Sequence, residues 1–487
     1  MIDFLNIPAS TRVPGQYIEF DATRAVRGLP QIRNRVLLIG QKLATGTAAA
    51  GTVQPIAEAS EAVSLFGRGS MLARMAAAYR KADKLSELAA IALDDVVGGT
   101  FAAGTITLTG PATANGTIYV MVAGVPVPTV IGAADTATVM GNKIAAAINS
   151  LPDLPVTAAA VAGVVTVTNR HKGTAGNGVD LRVGHFPGEV LPAGVTAVVA
   201  VSVGGATDPD IDTVWPIIGD APYRAIVLGF AEAGTIAKAK TELDSRWGPA
   251  RMLETVAYVA RGGTQGALAA FGGALNSELL TLLGTGKSPT WSPEAAAIWA
   301  ATCSANSAID PARPLHTLVL TGLVAPKLED RFTRTSREAL LYDGVSTFTV
   351  DPSGLARIER ALTTYQLDQN GIDDPAWLDL ETVATVAYVR ASVRVRIATK
   401  FPRHKLADDG TNYGPGQAIV TPKVLRAELV ALAREWEAAG LVENLDQFVA
   451  DLLVERDASD PGRVNALIPP DIVNQFRVFA AAVQFRL

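Results

Sequence analysis

Short apolar runs alternate along this chain with stretches in which apolar residues recur every three or four positions, predicting strands and helices in turn. Val36-Leu37-Leu38-Ile39-Gly40 is a continuous apolar run and predicts a buried strand. Helical patterns follow over residues 56–66 and 71–82, and residues 88–93 predict a second buried strand. Further on the same order resumes, with a strand at 225–230, helices over 235–247 and 266–283, and strands at 315–320, 345–350 and 358–365. Strands alternating with helices imply a largely parallel, helix-covered sheet. The last stretch is mainly helical. Residues 378–400 predict one long helix carrying Arg390, Arg394 and Arg396. Thr421 and Pro422 suit an N-cap and a first helical residue, and that helix runs through Trp436 to stop near Gly440. Residues 445–454 predict another helix before Ile468-Pro469-Pro470 breaks the pattern.

Between the two parts of the α/β pattern the composition changes. Residues 98–204 are rich in Ala, Val, Thr and Gly and poor in charge. Residues 105–109, 117–122 and 164–168 predict strands, with Asn115-Gly116 as a hairpin turn between the first two, and residues 135–150 predict a helix. This reads as a small α+β domain inserted into the core. The ends differ from both. Residues 1–34 carry Pro8, Pro14 and Pro30 without helical periodicity, and extended they reach on the order of 100 Å. Tyr17, Ile18 and Phe20 lie in a strand-like stretch after Pro14-Gly15. At the other end Val483, Phe485 and Leu487 alternate with Gln484 and Arg486, so an extended terminus keeps an apolar face. A strand must pair its backbone groups, and two such ends imply a protein that joins copies of itself.

At 487 residues the chain is long enough for about three domains. It is 49% hydrophobic and 18% charged, which excludes a disordered chain. The net charge of −5 argues against a nucleic-acid groove, which needs clustered Lys and Arg. Cys303 is the one cysteine, so an intrachain disulfide and a cysteine metal cluster are both excluded. The start lacks a basic, then apolar, leader, and the most apolar stretch, residues 195–206, is too short for a membrane span. The expected site of synthesis is a cytoplasm.

Candidate chemistry is sparse. Gly286-Lys287-Ser288 matches the end of a phosphate-binding loop, but Thr281 stands where that motif needs glycine, Pro289 follows, and no strand leads in cleanly. His171, His185, His316 and His404 form no ligand pair at helical spacing; His316 is expected to be a satisfied core residue at the start of a strand. Cys303 reads as a small buried hydrophobe and Asp408-Asp409-Gly410 as a loop tip. No catalytic, cofactor-binding or metal-binding residue is assigned. The pattern favours a structural role over an enzymatic one.

A series of motifs carries a more specific signal: Val13-Pro14-Gly15-Gln16-Tyr17, Arg360-Ala361-Leu362-Thr363-Thr364-Tyr365, Asp408-Asp409-Gly410-Thr411, Val420-Thr421-Pro422, Ala427-Glu428, Gly440 to Asn444, Val473-Asn474-Gln475-Phe476 and the closing Val483-Gln484-Phe485. In this order they resemble the tail sheath proteins of contractile bacteriophages, most closely the Mu-like kind. The resemblance implies an α/β core with an inserted β-rich α+β domain, a mainly helical C-terminal domain, and extended N- and C-terminal arms. The expected segments are an arm at 1–34, the core at 35–98 and 205–375, the outer insert at 99–204, the helical domain at 376–470 and a strand arm at 471–487. It further implies stacked hexameric rings around a tail tube, contraction that drives the tube through the host envelope, and arms that add strands to neighbouring subunits. Tyr17, Ile18, Phe20, Phe476, Val478, Val483, Phe485 and Leu487 are the expected inter-subunit arm contacts. Expected partners are other copies of the chain, the tail tube protein, and baseplate and tail terminator proteins, with no direct nucleic acid, no stable membrane insertion and no cofactor. The place implied is the virion tail, after assembly in the host cytoplasm. A related bacteriocin or injection-system sheath is the alternative; an α/β hydrolase or nucleotide-binding enzyme has only the near-miss at Lys287 behind it.

Overall fold

The computed structural model describes residues 33–410, 413–414 and 416–486. These form two compact units, one of residues 33–387 with 474–486 and one of residues 388–473. The fold is mixed α/β. In the larger unit a central sheet of eight strands runs in the order Ala356–Arg360, Val345–Val350, Leu280–Gly286, Val256–Gly262, Ala225–Leu228, Arg35–Gln41, Glu87–Leu93, Val53–Pro55. The six inner strands are parallel and each outermost strand is antiparallel to its neighbour. Val36, Leu37, Leu38 and Ile39 are wholly buried, as a strand covered on both faces requires. Each such side chain contributes roughly 2 kcal/mol by leaving water.

Helix Met71–Ala82 packs on helix Ser292–Ile309, and both lie against the parallel strands. Ser70 caps the first, its side chain accepting from Ala73 N. The second is buried almost all round, with small Ala side chains beside Trp299. Trp299 Nε1 donates to Thr281 Oγ1 at 3.1 Å, which satisfies the indole in the core. Gly229 ends its strand where a side chain would not fit: a Cβ there would sit 2.5 Å from Met71 Sδ.

Residues between Leu93 and Ala225 build two further sheets, one of four strands ordered Thr196–Val203, Phe101–Thr109, Val164–Lys172, Val156–Val161, and one of three ordered Val125–Ile131, Gly116–Val122, Leu181–Val183. Helix Ala137–Asn149 packs against strands of both. In the unit of residues 388–473, helix Pro422–Ala438 buries Leu429, Leu432, Ala433 and Trp436. Trp436 donates to Ser392 Oγ at 2.9 Å and meets Phe448 edge-on with ring centroids 6.1 Å apart. Arg396 pairs with Glu428 at 2.8 Å and with Glu435.

Several expectations are corrected. Asn115-Gly116 does not join a hairpin, because strands Phe101–Thr109 and Gly116–Val122 belong to different sheets. The tight hairpins turn instead at Ala123-Gly124 and Ala162-Gly163, both residues at positive φ in each. The helix expected over 266–283 stops at Gly273, and Leu280–Gly286 is a strand. A strand therefore does lead into Lys287. Residues 315–320 form no regular strand, although Thr317 N and Leu320 N donate to Ile358 O and Ala356 O along the outer edge of the central sheet. His316 lies in that irregular stretch, half-buried, with Nδ1 unpartnered rather than satisfied. The strand expected over 358–365 ends at Arg360, and the helix expected over 445–454 ends at Asp451. Strand Val256–Gly262 was not foreseen.

Candidate assembly interfaces

The chain end starts from a two-residue strand, Asp471–Ile472, paired with Val442–Glu443. From residue 474 to 477 burial alternates: Gln475 and Arg477 are half-buried, Asn474 and Phe476 exposed. Arg477 reaches Asp379 Oδ2 with Nη1 at 2.8 Å and Glu381 Oε2 with Nη2 at 3.4 Å. Beyond it every described residue to Arg486 is exposed, including Val478, Phe479, Val483 and Phe485, and no strand is present. Phe485 is 81% exposed, and an apolar run this open at a chain end lacks the contacts its composition calls for. Tyr17, Ile18, Phe20 and Leu487 lie outside the described residues. The structure thus brings Phe476, Val478, Val483 and Phe485 into one segment without burying any of them.

A second surface was missed by sequence reading. Leu453–Arg456 and Val464–Leu467 form a two-stranded antiparallel hairpin; among the described residues each strand pairs with the other alone, and the first lies against helix Pro422–Ala438. Among the described residues no further strand pairs with its outer edges, and Leu453 and Leu467 are exposed opposite one another. Asp457 builds its loop: one oxygen accepts from Ser459 N at 2.9 Å and Asp460 N at 3.0 Å, the other from Asn465 Nδ2 at 2.9 Å. Hydrogen bonds from Ser459 and Asn465 hold the Asp457 carboxyl far below the usual carboxylate range. The available sequence signal was Val464 to Leu467 following Pro461-Gly462.

The candidate chemistry resolves into structure. Lys287 Nζ pairs with Asp330 at 2.6 Å. Cys303 is buried, and burial pushes its thiol well up, away from the reactive thiolate. His171 accepts from Met71 N at Nε2, 3.0 Å, which leaves Nδ1 to donate to Asp95 at 3.0 Å. Asp95 also accepts from Gln41 Nε2 at 2.8 Å and Lys172 N at 3.0 Å. Burial works to raise the Asp95 carboxyl, but the bonds from His171 and Lys172 outweigh it and hold it below its ordinary value. His185 sits near Arg182, and His404 stacks edge-on with Phe401. Asp408 pairs with Arg456 at 2.8 Å, and Asp409 accepts from Lys423 N. Among the described residues no group of three or more His, Cys, Asp or Glu is placed to hold a metal ion, and no helix is long and apolar enough to cross a membrane. The Thr363-Thr364-Tyr365 motif is likewise structural: Thr364 and Ser277 exchange hydrogen bonds at 3.1 Å, and Tyr365 donates to Asp374 at 2.6 Å.

Two family models match this chain: the phage tail sheath protein central domain over residues 204–364 and the phage tail sheath C-terminal domain over residues 373–486. Over 486 residues, 100% of both chains, it is 41% identical to the Mu-like prophage FluMu tail sheath protein of Haemophilus influenzae. The chain belongs to the phage tail sheath protein family. Among solved structures it is similar to the sheath tail protein of Desulfitobacterium hafniense, at 15% identity and TM-score 0.47, covering 94% of this chain and 100% of that one. It is also similar to the contracted sheath of an extracellular contractile injection system, PVC, at 10% identity and TM-score 0.48, covering 97% and 98%.

Proposed function

We propose that this protein is a non-enzymatic subunit that polymerises by exchanging terminal strands with other copies, forming stacked six-membered rings around a tail tube. The observation that carries this reading is the segment 478–486, apolar at Val478, Phe479, Val483 and Phe485, yet exposed and paired with no strand among the described residues. A strand acquires both its backbone bonds and its buried face by adding to an open sheet edge. The hairpin of Leu453–Arg456 and Val464–Leu467 offers such an edge, and in another copy it is the acceptor this reading assigns. A hairpin of two short strands is only weakly held, so added strands stabilise it as well. Tyr17, Ile18 and Phe20 supply the second arm. Donation from one copy to the next is a heterologous contact that repeats into rings and helices.

In this reading residues 35–98 and 205–375 are the body, residues 99–204 face outward and residues 376–470 face the tube. Contraction moves bodies as rigid units while the exchanged arms hold them together, and the tube is driven through the host envelope for genome ejection. The tail tube, baseplate and tail terminator proteins are its partners, and its place is the tail of a virion or a prophage-derived particle. Electron microscopy of the purified protein tests the central geometry. Hollow, cross-striated tubes with six-fold end views are expected; closed monomers at all concentrations, or another rotational symmetry, contradict it.

A further inference from the structure

We infer that Arg477 is a latch that fixes where the C-terminal arm leaves the body, so that residues from Val478 onward are the ones exchanged between copies. The inference deepens the strand-exchange reading and rests on it for the role of the arm, but the latch itself is read from a single chain.

The alternation of burial along the segment stops at Arg477. Gln475 and Arg477, two apart on an extended backbone, share the face turned to the body. Gln475 Oε1 accepts from Arg477 Nη2 at 3.0 Å, and Gln475 Nε2 reaches Ala312 O at 3.5 Å. The carboxylates that receive the guanidinium are themselves fixed. Arg360 holds Asp379 with Nε at 3.1 Å and Nη2 at 3.3 Å, and Leu315 N donates to Glu381 Oε1 at 2.9 Å. Glu381 is almost wholly buried, with 2% of its side chain exposed, and among the described residues Arg477 is the cation in ion-pair contact with it. Withdrawing Arg477 strands that carboxylate without a countercharge, which is the costly way to break a buried pair. Past Arg477 every described residue is exposed.

The exit point sets the reach. Ten residues from 478 to 487 span at most about 36 Å extended, whereas an arm pivoting at Val473 would span up to about 50 Å. The latch therefore limits which neighbouring copy the apolar end can enter. Phe476, on the outward face beside the latch, stays with its own body, while Val478, Val483 and Phe485 travel with the arm.

Limited chymotryptic cleavage of the unassembled full-length protein tests the exit point, because Phe476, Phe479 and Phe485 bracket the latch. The wild type should be cut after Phe479 and Phe485 and at least ~10-fold more slowly after Phe476, since cleavage follows the population of the open form. The double variant Glu381→Gln/Arg477→Gln leaves no buried charge unpaired, so its body should melt as the wild type does while cleavage after Phe476 rises to the rate at Phe479. Arg477→Lys should retain most of the protection. Equal cleavage at Phe476 and Phe479 in the wild type overturns the latch. The same variants, sedimented under polymerising conditions, read its role: the double variant should yield several-fold less polymer, because a longer tether dilutes the arm end. Unchanged yield with the cleavage shift intact overturns the control of reach, and absence of polymer from the wild type overturns strand exchange while the cleavage pattern still decides the latch.

Discussion

Asp95 gathers three donors, from Gln41, His171 and Lys172, and so bonds the strand Val164–Lys172 to the body where residues 93–225 leave the central sheet. His171 completes the junction by capping the N-terminal turn of helix Met71–Ala82 through Met71 N. A histidine that reads as scattered in the sequence has a structural task because its partner lies 76 residues away, a pairing no local pattern can reveal. Asp95→Ala should cost on the order of 3 kcal/mol, as loss of hydrogen bonds to a charged acceptor does, and thermal melts read it. The sign of the pH dependence follows from the depressed Asp95 carboxyl. Its stabilisation is present above the ordinary carboxylate value of ~3.9 and is lost as pH falls below that value. The gap in melting temperature between wild type and Asp95→Ala should narrow in acid; a constant gap from neutral pH downward would count against the ionised clamp.

At the scale of elements, what was legible had local causes. Helix Met71–Ala82 begins at a Ser cap and keeps one apolar face, and its bounds were read to the residue. Leu280–Gly286 was hidden because its apolar run continued the pattern of the helix before it across the breaks at Gly272-Gly273 and Asn276-Ser277. The hairpins at Ala123-Gly124 and Ala162-Gly163 were hidden because Ala seldom takes positive φ, so the turns lack the Asn-Gly signature. The hairpin at Leu453–Arg456 escaped because its strands are short and only half-buried, as at Val454 and Val464, and periodicity reports burial. It also supplies an element-scale prediction. Leu453→Thr/Leu467→Thr replaces exposed apolar side chains by polar ones that suit a strand and carry no like charges across the pair, so monomer stability should shift by no more than ~0.5 kcal/mol. Polymer formation should nevertheless fail, as sedimentation will show; unimpaired polymer removes the hairpin as acceptor.

For the whole molecule, the buried chemistry and the exposed end point the same way. Lys287, which alone stood behind an enzymatic alternative, pairs with Asp330; of the other side chains weighed for chemistry, His171 pairs with Asp95 and Cys303 lies in the core. Exposed apolar residues are scattered singly over the fold, as at Leu85 and Ile309, but at the terminus Val478, Phe479, Val483 and Phe485 follow one another in a single exposed segment. Family membership explains why so large a chain reads as sparse in chemistry, since a tail sheath protein works through contacts between copies. The strand-exchange reading puts those contacts in the arms, and residues 478–486 pair with no strand among the described residues, so no contact within the chain makes their role legible. The most direct measurement is sedimentation of full-length protein beside a variant lacking residues 483–487, with melting of each recorded on the unassembled form. Strand exchange predicts equal melting temperatures, polymer from the full-length chain and none from the truncated one; polymer of wild-type yield from the truncated chain would contradict it.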